Sequence, residues 1–407
     1  TNKTVRTVRS PLGLPLLLVT TTWVLSTFLK TPNRWDAFTD PGFTTTILSL
    51  FAFFIAGISF VRSKKDLDGV FNALLLSSGV LSGLTILWAS DLLSKNLPIA
   101  FLKSPLWSPT GNPLSNFIFL LTIAVILGFI ALRGRMDFLK NFKQPLVLVL
   151  AIIATSILGY RLFSPGSTAR PLFLSQSTSW AIAMEAMKSS PAWGTGPATY
   201  LSDFTRFRPV TFNLGTNWNV RFNSSSNHYL QILTTLGMAG LAVYLFLFVK
   251  VAHMAIKSLS LTSESEATHL AFALPMTILV YMVSLLFAPP TLVNLFLLFV
   301  MLVLATAAFR VLGSSLVHEA NIDIVAASDD GTKSPILPWV LAVLVIGLGA
   351  TTVYYGSRVY LADVYFGQSL ASAGANKAKD TYDLLVKALT TNPRKDTYRL
   401  AYSQTNM

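Results

Sequence analysis

Nine runs of 15 to 21 mostly apolar residues, none containing Asp, Glu, Lys or Arg, constrain this chain more than any other feature. They cover residues 12–29, 43–61, 70–89, 117–132, 146–160, 229–249, 270–288, 292–309 and 336–355. A helix rises 1.5 Å per residue, so about 20 such residues cross a hydrocarbon core about 30 Å thick. Inside that core every backbone N–H and C=O needs a partner other than water, which helices supply within themselves. The chain is therefore read as all-α, a polytopic helical membrane protein with about nine spans. Composition agrees: 52% of the 407 residues are apolar and 12% charged, and the mean hydropathy is +0.57. The chain holds no cysteine, which removes disulfides and thiol chemistry.

Charge between the runs sets an expected orientation, because cytoplasmic loops carry the excess of Lys and Arg. One set of alternate loops holds Lys3, Arg6 and Arg9; Arg62, Lys64 and Lys65; Arg133, Arg135, Lys140 and Lys143; Lys250 and Lys257; and Arg310 and Lys333. The opposite short loops hold Lys30, Arg34, Lys95 and Lys103. The first set is expected inside a cytoplasmic (inner) membrane, with the long loop after the fifth run and the C-terminal tail outside. The N-terminal residues read as a cytoplasmic loop cut open, with one or more spans expected upstream. Topology and anionic lipid account for most of the net charge of +13. Nucleic acid is not an expected partner, since no soluble basic domain is present.

Four segments follow. Residues 1–160 form a bundle of spans one to five, and 161–228 form a large outward loop. Residues 229–355 hold spans six to nine, with a polar cytoplasmic linker at 314–334 that includes Asp329-Asp330-Gly331. Residues 356–407 form a soluble helical tail. In the loop, Ser177-Thr178-Ser179 is expected to cap a helix over 180–189 that places Trp180, Met184 and Met187 on one face. Pro191 ends it, and Gly194-Thr195-Gly196-Pro197 makes a turn. In the tail, Tyr365, Ser369, Leu385, Ala388 and Pro393 fit the large-and-small spacing of a tetratricopeptide repeat, with Tyr398 opening the next helix. Such a repeat offers a surface for a protein partner.

Trp180, Pro191-Ala192-Trp193-Gly194-Thr195-Gly196-Pro197 and the run from Asn227-His228-Tyr229-Leu230-Gln231 to Leu236-Gly237-Met238-Ala239-Gly240-Leu241 carry a resemblance. Together they resemble the O-antigen ligase and polymerase superfamily of polytopic membrane glycosyltransferases, some of which carry tetratricopeptide tails. The resemblance covers the loop and the next span. It implies a polyprenyl-diphosphate-linked glycan as donor and an acceptor hydroxyl on a glycan, lipid or protein at the outer face. It also implies no metal and no other cofactor. The chain departs from the family pattern at two positions. Ser226 stands where the family keeps a histidine, with His228 two residues later, and Gln176 stands where the family often has an arginine.

The reaction needs a base at the acceptor and cations at the leaving diphosphate. His228, the only histidine expected outside, is the first candidate base, with Asp203 and Glu185 next. Arg206, Arg208 and Arg221 suit phosphate because a guanidinium grips its oxygens in a fork. Arg161 and Arg170 are placed to meet the diphosphate at the interface, and Trp218 to stack on sugar or prenyl. Asn227 is expected at the donor and as the cap of span six. Two other classes remain open: a scaffold of envelope assembly without chemistry, and a transporter of lipid-linked glycan. The absence of ionisable residues from the apolar runs argues against an ion-coupled carrier.

Overall fold

The computed structural model describes residues 4–90, 103–104, 107–262, 265–323 and 336–405. Lys3, Lys95, Lys333 and Asp329-Asp330-Gly331 lie outside the described residues, as does most of the 314–334 linker. The chain forms two units, one of residues 8–31 with 46–319, the other of 1–7, 32–45 and 320–407.

Among the described residues, eight helices are long and apolar enough to cross a membrane. In the larger unit the bundle is built from α1 (Gly13–Lys30), α3 (Thr44–Phe60), α4 (Lys64–Ala89), α5 (Pro113–Arg133), the short α6 (Arg135–Lys140), α7 (Lys143–Phe163), α10 (His228–Leu259), α11 (Glu266–Ser284) and α12 (Leu292–Val311). The loop contributes α8 (Gln176–Ser189) and α9 (Tyr200–Phe207). Polar residues start these helices as their chemistry requires. Ser63 and Asp66 form a reciprocal capping box on α4, Asn112 caps α5, and Asn227 caps α10 by accepting from the Leu230 N–H at 2.8 Å.

Three arginines close the other ends. Arg161 donates to Ala89 O at 2.8 Å, Arg133 to Ser258 O at 3.0 Å and Arg310 to Ile58 O at 3.1 Å. Each carbonyl lies in the last turn of a neighbouring helix, where the unpaired C=O groups and the negative end of the dipole attract a cation.

The main irregularity is a break in α10. Gly237 has φ 67° and ψ −162°, a conformation essentially restricted to glycine. In a continuous helix the Met238 and Ala239 N–H groups would donate to Thr234 O and Thr235 O. Here they donate instead to Pro191 O at 3.0 Å and Ala192 O at 3.1 Å. The freed Thr234 and Thr235 carbonyls accept from the Thr195 N–H at 3.0 Å and the Gly196 N–H at 2.9 Å. The Pro-Ala-Trp-Gly-Thr-Gly segment is thus inserted into the helix. From α1, Ser26 Oγ lies 2.8 Å from Trp193 O and 3.1 Å from Thr235 O, clamping both partners.

The smaller unit holds α2 (Arg34–Thr39), α13 (Ile336–Gly374), α14 (Ala378–Thr391) and α15 (Asp396–Thr405). The expected ninth span is the N-terminal part of the continuous α13. Ser369, Leu385, Ala388 and Tyr398, four of the positions with repeat-like spacing, are buried. The tail does not pack alone. Trp35 Nε1 donates to Asn392 Oδ1 at 2.8 Å, Asn33 Nδ2 to Arg394 O at 3.1 Å, and Lys395 pairs with Asp40. A second departure is one two-stranded sheet of β1 (Thr4–Arg9) and β2 (His318–Asp323), which occupies part of the expected linker.

Gly237→Ala should lower stability strongly. Its added Cβ would lie 2.6 Å from Gly194 N and 2.7 Å from Ala192 O, on a backbone that alanine resists. Thermal unfolding in detergent should show a loss of about 3 kcal/mol or more. Gly83→Ala in α4, where the new methyl meets nothing within 4 Å, should be neutral or slightly stabilising.

Candidate functional site

Loop insertion carries a chain of polar contacts outward from the helix break. Thr195 follows the inserted glycine, and its hydroxyl lies 2.6 Å from Asp203 Oδ2; the Thr199 hydroxyl lies 2.9 Å from the same oxygen. Asp203 sits in the first turn of α9 and is 5% exposed. Burial pushes its carboxyl up to about 6, against the opposing pull of the two threonine hydroxyls and of Arg206. Asp203 therefore joins α9 to the inserted segment, and its carboxyl is nearly enclosed.

Beyond it lies a small aromatic core. Leu174, Ile182, Tyr200, Phe204 and Phe222 are buried together, with Phe207, Phe212 and Val220 packed against them. Phe204, Phe212 and Phe222 meet edge to face, with centroids 5.2 to 6.3 Å apart. This core carries the loop cations. Arg208 stacks over Phe204 and Phe212 at 5.5 and 5.7 Å, and donates to Trp218 O at 3.4 Å. Arg206 lies 4.9 Å over Phe207 and is exposed. Arg221, beside Phe222, is exposed, and so is Trp218 at 60%. The alternation of aromatics and arginines between 200 and 222 thus becomes one apolar core with a cationic surface.

The start of α10 forms the second part of the site. The sequence reading placed His228 towards the loop; the structure turns it into the bundle. Its ring packs edge-on against Tyr244 at 5.2 Å, and Tyr244 in turn accepts from Trp23 Nε1 at 3.3 Å. His228 is 6% exposed, and its Nε2 is enclosed without a hydrogen-bond partner among the described residues. The reason is packing: His228 is the first residue of α10, after the extended Asn227, and Tyr244 and the bundle take its ring. Ser226, on the other side, donates its hydroxyl to Gln176 Oε1 at 2.9 Å. Asn227 Nδ2 donates to the same oxygen at 2.8 Å, and Gln176 Nε2 donates to Leu286 O at 3.3 Å. Gln176 and Ser226, the two positions at which the sequence resemblance fails, are therefore direct partners.

Two of the remaining expected residues, Glu185 and Arg161, are engaged elsewhere. Glu185 pairs with Lys188 at 2.5 Å on the outer side of α8. Arg161 caps α4 and lies 4.5 Å over Trp88, so it serves helix packing. Arg170 is exposed in the segment before α8. That helix begins four residues earlier than expected, capped by Ser175, and buries Ser179, Ile182, Ala183 and Ala186. Trp180 lies outside that buried face at 56% exposure.

Sequence reasoning missed Gln176, Ser179, Tyr200, Ser225 and Gln231. Ser226 N donates to Ser179 Oγ at 3.0 Å and Ser225 N to Gln231 Oε1 at 2.7 Å. Tyr200 is buried beside the Ser179 and Ser225 side chains, and burial pushes its phenol up. Gln176 was visible as a departure from the resemblance and Ser225 within the run of serines before Asn227; the contacts of Ser179, Tyr200 and Gln231 gave no signal. Alongside, a mostly apolar cleft of about 320 Å³ lies between α5 and α11, lined by Phe117, Phe163, Phe173, Tyr281, Leu285 and Phe287 among others. Leu285 O accepts the His228 N–H at 3.0 Å, so the cleft wall and the start of α10 share one backbone contact.

No protein-family model matches the chain, and no curated protein matches it either.

The Asp203 carboxyl is raised in the folded state, so its charged form opposes folding. Its contribution is most favourable below the unfolded value near 3.8 and is lost as pH rises through about 6. Asp203→Asn should flatten the pH dependence of thermal stability between these limits, by roughly 2–3 kcal/mol at most. An unchanged profile in the variant would remove Asp203 from the coupling.

Proposed function

We propose that this chain is a membrane glycosyltransferase that moves a glycan from a polyprenyl-diphosphate carrier to an acceptor hydroxyl at the outer face of the cytoplasmic membrane. The observation that carries this reading is the aromatic core of the loop. It presents Arg206, Arg208, Arg221 and Trp218 on the segment that leads into α10. Guanidinium forks suit the departing diphosphate, whose charge grows as the glycosidic bond breaks. The neighbouring cleft suits the first part of an isoprenoid chain. Orientation follows the Lys and Arg bias between alternate loops.

In this reading His228 removes the acceptor proton. Its Nε2 is enclosed, so the first turn of α10 must open for the acceptor to reach it. The state of the three candidate bases favours a second reading, a scaffold of envelope assembly without chemistry. Glu185 is ion-paired, Asp203 is bonded to two threonines, and His228 is covered. The tail helices offer a protein partner a surface under either reading.

The test separates donor binding from transfer. Arg206→Ala and Arg221→Ala should weaken binding of a polyprenyl-diphosphate glycan by the purified protein about tenfold each. Lysine should restore binding only in part. Arg208→Ala should also lower stability, because its guanidinium packs on Phe204 and Phe212. His228→Ala should leave donor binding intact and slow transfer by about 10²–10⁴. Parental donor binding in all three arginine variants would reject the donor site. Donor binding by a parent protein that gives no transfer would favour the scaffold.

A further inference from the structure

Between α4 and α7 a groove of about 600 Å³ opens on the surface of the bundle. One span, α5, separates the two helices in the chain, so they cross the membrane in the same direction. Their residues therefore follow the groove in step. Asn72 and Lys143 line one end, and Gly79, Val80 and Leu150 line the other. From Asn72 to Val80 the helix rises about 12 Å, close to the ~15 Å half-thickness of a hydrocarbon core. The groove thus spans about one leaflet, and none of its residues belongs to the loop site or its cleft.

The floor is low because Gly79 has no side chain. A Cβ there would meet only Val147 Cγ2 within 4 Å, at 3.5 Å. Leu75 and Val147 are buried beneath it, while Leu76, Val80 and Leu146 are 71%, 55% and 44% exposed on its flanks. In a membrane such walls meet hydrocarbon, and on their own they do not select what fills the groove. The two polar residues do.

Asn72 lies eight residues into α4 and inside the apolar run 70–89, yet it is exposed, and its amide makes no hydrogen bond among the described residues. An amide set against hydrocarbon costs free energy until a polar group meets it. Lys143 opens α7, is exposed and makes no ion pair among the described residues; no acidic residue stands in the first turn of its helix. Residues 62–68 and 135–143, at the same ends of these helices, hold six Lys and Arg against three Asp. Asp66 is taken up in the α4 capping box, and Asp137 lies 3.5 Å from Lys140. Asp68 has an enclosed Oδ1, and its charge acts on Glu266 of α11. None of these four acids lines the groove, and Lys143 does. The groove therefore offers a cation and a free amide at one end and apolar walls along the rest. This cationic surplus favours a lipid phosphate over a neighbouring helix, which would bond Asn72 but bring no phosphate.

We propose that this groove binds one anionic diacyl phospholipid. Lys143 pairs with its phosphate, the Asn72 amide donates to an ester carbonyl, and one acyl chain lies over Gly79 between the two helices. The site does not depend on the glycan reading.

The full chain in detergent would be titrated with dioleoyl phosphatidylglycerol and with dioleoyl phosphatidylcholine, and bound lipid counted by native mass spectrometry. The parent should take up one phosphatidylglycerol about tenfold more tightly than phosphatidylcholine. Lys143→Ala should remove most of that preference, and Asn72→Leu should weaken both lipids about threefold. Lys65→Ala removes the same charge from an exposed position outside the groove and should leave affinity within about twofold. The comparison of the two lipids uses the parent protein alone, so it stands even if a variant fails to fold. Equal affinity for both lipids in the parent would overturn the proposal. Equal losses in Lys143→Ala and Lys65→Ala would overturn it too, in favour of diffuse surface attraction. So would a dimer of the chain that Asn72→Leu dissolves, because a second copy would then fill the groove.

Discussion

The backbone exchange at Gly237 organises the loop end of this protein. A helix surrounded by hydrocarbon cannot leave two N–H and two C=O groups open, because each would be stranded without water. The chain meets this requirement by bringing an extended segment of its own loop into the gap. Pro191, Ala192, Thr195 and Gly196 supply partners for the four groups that the two broken bonds leave open. The contact is close enough that a side chain at Gly194 or Gly237 would strike backbone. Ser26 and Thr31 of the first helix region add bonds to Trp193 O and Pro197 O, tying the insertion to a third segment.

Everything proposed at the loop end hangs from that junction. Thr195 carries the insertion outward to Asp203, and Asp203 holds α9. Helix α9 supplies Tyr200 and Phe204 to the aromatic core, and the core carries Arg206 and Arg208. On the other side, Ser226 and Asn227, which lead into α10, bond Gln176, while the first turn of α10 buries His228. A loop of this length would otherwise have little to fix its arginines relative to the helix ends. Burying Asp203 at a raised pKa is part of what this arrangement costs.

The spans were legible because apolar runs of this length have few alternatives, and Asn227 was legible as a cap because it directly precedes one. The buried positions of the tail showed in the spacing of Ser369, Leu385 and Ala388. The break at Gly237 was not visible: the run 229–249 is uninterrupted in hydropathy, and one glycine inside it does not announce a discontinuity. The partners of the break lie more than forty residues away in the chain, and local patterns carry no such information. The facing of His228 was misjudged because the first turn of a helix admits either side until neighbours such as Tyr244 decide it. Arg161 read as a ligand for diphosphate, but an arginine in a last turn has a competing partner in a nearby helix carbonyl. The pairing of Gln176 with Ser226 could not be read from two separate departures in sequence, although both positions were visible as departures.

Amide hydrogen exchange at Thr195 and Gly196 tests the central claim most directly. Both residues lie in a loop, and a solvated loop exchanges quickly. If their N–H groups complete the broken helix through Thr234 O and Thr235 O, they should be protected to the same degree as Met238 and Ala239 within α10. All four amides should also lose protection together in Gly237→Ala. Fast exchange at Thr195 and Gly196 beside a protected Met238 and Ala239 would contradict the insertion and leave the loop, with its arginines, unanchored.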